Sequence, residues 1–168
     1  MSQGEALVTN RGSVVHRTFN IERTYPTSPS RVFSAFADSA TKRRWFAEGE
    51  GFEVLEFTAD FRVGGREVSR CRFKGGPPPG HTSSEMRNDT VYQDIVPDRR
   101  IVLAYTMAIG EKRISASLAT LELVPAGDGT RLTFTEQGAF FEGADGPELR
   151  EKGWRGLLEA LGRELRRP

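Results

Sequence analysis

Pro147 to Arg166 has the sequence PELREKGWRGLLEALGRELR. Trp154, Leu157, Leu158, Leu161 and Leu165 recur at three- and four-residue intervals, with Arg155, Glu159, Arg163 and Glu164 opposed to them. That spacing predicts a long helix with one apolar stripe. Such a stripe must lie on another apolar surface, and the residues upstream read as the strands that would supply one.

Working back from the helix, strands are expected over Phe52 to Phe61, Gly65 to Lys74, Met86 to Val96, Ile101 to Ile109, Lys112 to Val124 and Thr130 to Gly138. Most are joined by short turn signals: Val63-Gly64-Gly65, Pro97-Asp98-Arg99, Gly110-Glu111 and Pro125-Ala126-Gly127-Asp128-Gly129. Glycine supplies positive φ and proline presets φ in such turns, so successive hairpins predict an antiparallel meander. Gly75 to Ser84 differs, because Gly-Gly-Pro-Pro-Pro-Gly cannot pair as a central strand and reads as an exposed loop.

A further strand comes first. From Val15 to Tyr25 the apolar Phe19, Ile21 and Tyr25 share one parity, and His16, Thr18, Asn20, Glu22 and Thr24 take the other. Arg17 falls on the inner parity. Ser28-Pro29 opens a short helix to about Asp38, with a serine cap and a proline where no amide is needed. A second short helix, Ala40 to Phe46, follows and presents Trp45 and Phe46 after the basic turn Lys42-Arg43-Arg44. Residues 1–12 carry no apolar period and read as a flexible leader to a single domain over 13–168. The fold expected is therefore α+β: a curved seven-stranded antiparallel sheet gripping the last helix, with two short helices after the first strand.

Composition excludes several roles. Lys plus Arg is 24 against 23 for Asp plus Glu, so no global field steers the chain toward nucleic acid. No apolar run approaches the roughly 20 residues of a spanning helix and no secretory core is visible, so stable membrane insertion is not expected and a cytoplasmic location is. One cysteine, Cys71, permits no intrachain disulfide, and His16 with His81 makes no metal-ligand pattern. No metal or other cofactor is expected.

One set of segments recurs in a known order: Ile21-Glu22-Arg23-Thr24-Tyr25, Ser28-Pro29-Ser30-Arg31-Val32-Phe33, Phe36-Ala37-Asp38 and Arg44-Trp45-Phe46. It continues with Asp60 to Gly65, Asp94 to Arg99, Gly129-Thr130, Leu132, Phe134, Glu136 and Gly153-Trp154. By these residues, Val15 to about Leu165 resembles the START-like helix-grip superfamily, also called SRPBCC or birch-pollen-allergen-like. Within it the chain is most similar to the activator of heat-shock-protein-90 ATPase homologue (AHSA-like) C-terminal domain family. The Gly75 to Gly80 segment departs from the pattern as an insertion. The resemblance implies a groove that takes an apolar small molecule or lipid, often in a homodimer. It also implies two alternatives, a co-chaperone-like module with a protein partner and a polyketide-cyclase-like enzyme.

Candidate cavity residues are Phe33, Trp45, Phe57, Phe73, Met86, Tyr92, Tyr105, Met107, Phe134, Glu136, Phe141 and Trp154. Such pockets are mostly apolar with a few polar groups, and Tyr92, Tyr105 and Trp154 add donors to large apolar bodies. Each of these side chains can equally fill a closed core. Glu136 shares the parity of Leu132 and Phe134, so it points inward as an acid/base candidate or as half of an ion pair with Arg17. Cys71 and His16 could form a nucleophile and base, although a lone strand cysteine usually packs as a small apolar group. Arg66, Arg70, Arg72 and Lys74 form a basic stripe that suits an acidic partner, or a solvated face with scattered ion pairs.

Overall fold

The computed structural model describes residues 14–141 and 146–168, so the expected leader at 1–12 lies outside the described residues. β1 (Val15–Tyr25) leads into α1 (Pro29–Ala37), α2 (Ser39–Lys42) and a π-helical turn at Arg43–Ala47. Six strands follow: β2 (Phe52–Ala59), β3 (Arg66–Phe73), β4 (Glu85–Val96), β5 (Arg100–Ile109), β6 (Lys112–Ala126) and β7 (Gly129–Phe140). The chain ends with α3 (Gly146–Leu165). The expected α+β helix-grip architecture is therefore present.

The sheet order is β1-β7-β6-β5-β4-β3-β2, with every neighbouring pair antiparallel. β1 and β2 thus lie at opposite edges although they are successive in sequence. The connection between them has to cross the sheet, and α1, α2 and the π turn make that crossing. Local chemistry starts each piece. Ser28 Oγ accepts from the Arg31 amide at 3.3 Å with Pro29 in the first turn, and Asp38 Oδ1 accepts from the Thr41 amide at 2.7 Å. The Thr41 hydrogen bonds hold the Asp38 carboxyl below its ordinary range.

Irregularities at Val54/Glu56, Tyr92/Asp94 and Met107/Ala108 bend the sheet. The core fills the concave side with Ile21, Tyr25, Leu103, Leu121, Leu132 and Phe134 from the sheet and Trp154, Leu158 and Leu161 from α3. Tyr25 Oη donates to the Leu158 carbonyl at 2.8 Å, tying the middle of α3 to β1. A Cβ on Gly162 would sit 3.3 Å from the Tyr25 ring, so glycine lets the helix approach that closely.

Two expectations need correction. The loop expected at Pro125 to Gly129 is only two residues, because β6 runs through Ala126 and β7 begins at Gly129. Gly127 adopts φ 57 there, which lets a tight hairpin keep the ladder paired to its end. Glu164, expected opposite the apolar stripe, is only 9% exposed. It accepts from Arg44 Nη2 at 2.6 Å, so the arm covers that side of the helix.

The hairpin gives a paired test. A Cβ on Gly129 would collide with the Tyr25 carbonyl oxygen, whereas one on Gly127 meets open space and only an unfavourable φ. Gly129→Ala should cost about 3 kcal/mol and Gly127→Ala about 1 kcal/mol, read from urea midpoints at equal m-value.

Candidate functional site

Strand parity places two carboxylates on the concave face, Glu136 on β7 and Glu67 on β3, and both are buried. A buried charge needs both an opposite charge and hydrogen bonds. Tyr105 Oη donates to Glu136 at 2.8 Å from each carboxylate oxygen, and Arg150 Nη1 of α3 lies 3.1 Å from Oε1. Arg150 Nη2 donates to Ser115 Oγ at 2.7 Å, and Trp154 Nε1 donates to Tyr105 Oη at 3.2 Å. The guanidinium also lies 5.1 Å from the Phe140 ring centroid. That ring occupies the space a side chain at Gly138 would need, since a Cβ there would come within 2.7 Å of it. Burial pushes the Tyr105 phenol well above its ordinary pKa, so it remains a donor.

The second carboxylate is treated alike. Lys42 Nζ of α2 donates to Glu67 Oε2 at 2.6 Å and to Tyr92 Oη at 3.3 Å, and Tyr92 Oη donates to the same carboxylate. Burial, and after it the Glu67 charge, raises the Tyr92 phenol far above its ordinary pKa. The ammonium sits 5.1 Å from the Phe46 ring centroid. Each helical layer thus sends one cation to a carboxylate–tyrosine pair on the sheet.

Between these groups runs an aromatic wall. Phe134 and Trp154 have centroids 4.2 Å apart, and Phe46 joins Trp154 at 6.1 Å and Phe57 at 6.3 Å. Facing it, β3 to β6 present a mixed floor that includes Ser69, Cys71, Met86, Asn88, Met107 and Ser117, on one face by register. Two polar atoms of this floor are buried and have no hydrogen-bond partner: Asn88 Oδ1 and Ser117 Oγ.

The expected site residues divide into two sets. Met86, Tyr105, Met107, Phe134, Glu136 and Trp154, with Phe57 at the β2 edge, share the concave space. Tyr92 lies there too, but its hydroxyl is committed to Glu67. Phe33 packs edge-on against Phe61 at 5.6 Å, and Trp45 donates to the Ala35 carbonyl at 2.8 Å, so both consolidate the arm. Phe73 pairs with Phe52 at 5.1 Å toward one end of β2 and β3, and half-buried Phe141 follows β7.

Other expectations are corrected. Arg17 is not the partner of Glu136: its side chain is 54% exposed and 3.7 Å from Glu148, because α3 delivers Arg150 to the carboxylate first. Cys71 and exposed His16 cannot act together, since four strands separate β3 from β1. Burial raises the Cys71 thiol to about 11. Of the two readings of the basic stripe, the solvated face with scattered ion pairs is the one seen at Arg70 and Arg72, which are engaged across strands by Glu53, Glu56 and Glu85. Lys42, Glu67 and Arg150 join the expected residues in this interior. Arg150 lies four residues before Trp154, and Glu67 shares parity with Cys71, so period alone puts each on an inward face.

Two surface concavities flank this interior. One of about 400 Å³ is lined by Arg31, Asp38, Arg44, Glu164 and Arg167, and one of about 520 Å³ by Pro29, Asp98, Arg99, Leu123 and Pro125. Neither includes a side chain from the expected cavity set. Among the described residues no three His, Cys, Asp or Glu side chains converge as metal ligands would, and no helix is long and apolar enough to cross a membrane.

Residues 26–166 match the family model described as activator of Hsp90 ATPase homolog 1-like protein. The crystal structure of Mll3558 from Rhizobium loti is 62% identical, with 90% of this chain and 99% of that chain covered and a TM-score of 0.80. A Rhizobium leguminosarum protein is 36% identical, with coverage of 94% and 99% and a TM-score of 0.85. An AHSA1-like protein from Aeromonas hydrophila, 17% identical over 89% and 92% with a TM-score of 0.65, shares the fold. No curated protein matches the chain.

Two outcomes test the buried network. Arg150→Met should destabilise by about 3–5 kcal/mol because it strands the Glu136 charge, and adding Glu136→Gln should recover a large part of that loss in a urea double-mutant cycle. At pH 8 Cys71 should react with a thiol-specific disulfide reagent much more slowly in the native protein than in urea, because burial keeps it protonated.

Proposed function

The chain belongs to the activator of Hsp90 ATPase homolog 1-like family, and from that premise we propose that it is a non-enzymatic binding module for an apolar small molecule or lipid held between the sheet and α3. The observation that carries this reading is the pair of buried, unpartnered oxygens on the mixed concave floor, Asn88 Oδ1 and Ser117 Oγ. A buried polar atom without a partner costs roughly 1–3 kcal/mol, and a bound molecule can remove that cost. Half-buried Phe46, Phe57, Met86 and Leu157 border the same space and give an apolar ligand a route between arm and helix.

The rival readings have less support. For the enzyme, Glu136 would be the acid/base, but its carboxylate already receives Tyr105 and Arg150 and has no donor role open to it. For the co-chaperone-like module, the arginine stripe would meet an acidic partner, but Arg70 and Arg72 already meet glutamates of their own sheet.

Adding bulk on the floor separates a ligand space from a filled core. Met107→Trp should abolish binding of the neutral apolar dye N-phenyl-1-naphthylamine, seen by its fluorescence, while the melting temperature holds or rises. Absence of dye binding to the unaltered protein, together with a Met107→Trp variant destabilised by about 1–3 kcal/mol, would show a solidly packed interior and overturn the reading.

A further inference from the structure

We infer that the ligand is uncharged and carries a hydroxyl or amide N–H that donates to the floor at Asn88 Oδ1 or Ser117 Oγ. This inference rests on the binding reading above and specifies its chemistry. The two atoms lie on the same face, Asn88 opposite Met107 and Ser117 opposite Tyr105, with β5 between their strands. With two strand spacings and the two-residue offset between Met107 and Tyr105 along β5, their backbone positions stand roughly 12 Å apart, so one ligand donor meets one of them and not both. Asn88 Oδ1 can only accept, and Ser117 Oγ can accept while its hydroxyl rotates, so a donor on the ligand satisfies either one.

Charge decides the rest. Lys42 is matched by Glu67 and Arg150 by Glu136, each pair already hydrogen-bonded and buried. An entering carboxylate or phosphate would face two existing anions whose cations are already committed, and an ammonium would meet the reverse. Either ion would lose its hydration without a counter-charge, which is far more costly than burying a neutral hydroxyl that finds an acceptor. Ser115, the other hydroxyl near Glu136, already accepts from Arg150, so it does not compete for the ligand donor.

Three matched probes on the unaltered protein test this by calorimetry: 2-naphthol, 2-methoxynaphthalene and 2-naphthoate. The naphthol should bind roughly five- to tenfold tighter than the ether, the worth of one hydrogen bond, and the naphthoate should bind weakest. In an Asn88→Leu/Ser117→Ala double variant the naphthol should fall to the affinity of the ether, and the ether should be unchanged. Each single variant serves if the double one does not fold, and one of the two should show the loss. Equal naphthol and ether binding, naphthoate binding as well as naphthol, or a preference that survives in the variants would overturn the inference and leave the binding reading standing. If none of the three binds, the binding reading falls with it.

Discussion

Two carboxylates on the concave face of one sheet set the terms for this structure. Glu67 and Glu136 are buried, and burying a carboxylate is costly unless another layer brings a cation and hydrogen bonds to it. α2 brings Lys42 and α3 brings Arg150, at 2.6 and 3.1 Å. Because each contact is fixed in distance and direction, the pair acts as two pins that allow the helices one placement over the strands. Apolar packing alone is less demanding, since a leucine stripe tolerates small slides along a greasy surface. The tyrosines share in the work: each Oη donates to its carboxylate, and each phenol is kept protonated by the burial that makes the carboxylate costly.

The crossing arm follows from the same arrangement. Because β1 and β2 are opposite edges, residues 26–51 have to travel over the concave face, and Lys42 lies on that path. The π-helical turn after it places Trp45 and Phe46 on adjacent sides of the crossing. Trp45 turns back to the arm and donates to Ala35, while Phe46 reaches Phe57 and Trp154.

Regular patterns made most of the fold legible. Every strand, α1 and α3 were visible as a parity or a period, with turns marked by glycine, proline or Asp98 at φ 62, whereas the helix expected over Ala40 to Phe46 is a four-residue α2 that passes into a π-helical turn. Partner choice was not. Parity correctly sent Glu136 inward, yet on its own strand-pair side it offered Arg17, whereas the actual partner comes from a helix remote in sequence. Nothing in the local pattern near Glu136 encodes which of 24 basic residues will reach it. Glu164 was misplaced for a related reason: its helix position is polar by period, and only the tertiary approach of Arg44 makes that position buried. The unpartnered oxygens could not be seen beforehand at all, because satisfaction of a hydrogen bond is a property of all the neighbours at once.

The same pins bear on how a ligand could be admitted. If entry required α3 to lift, Arg150 would leave Glu136, Tyr105 and Ser115 together, and the stranded carboxylate would make that opening expensive. The half-buried side chains Phe46, Phe57, Met86 and Leu157 carry no such obligation. A rotamer change at Phe57, Met86 or Leu157 leaves both ion pairs in place, whereas one at Phe46 would also lift its ring from the Lys42 ammonium. On the proposed binding reading, opening would fall on the side of the domain where β2 and the π turn meet α3, with the charged groups as the fixed frame beside it.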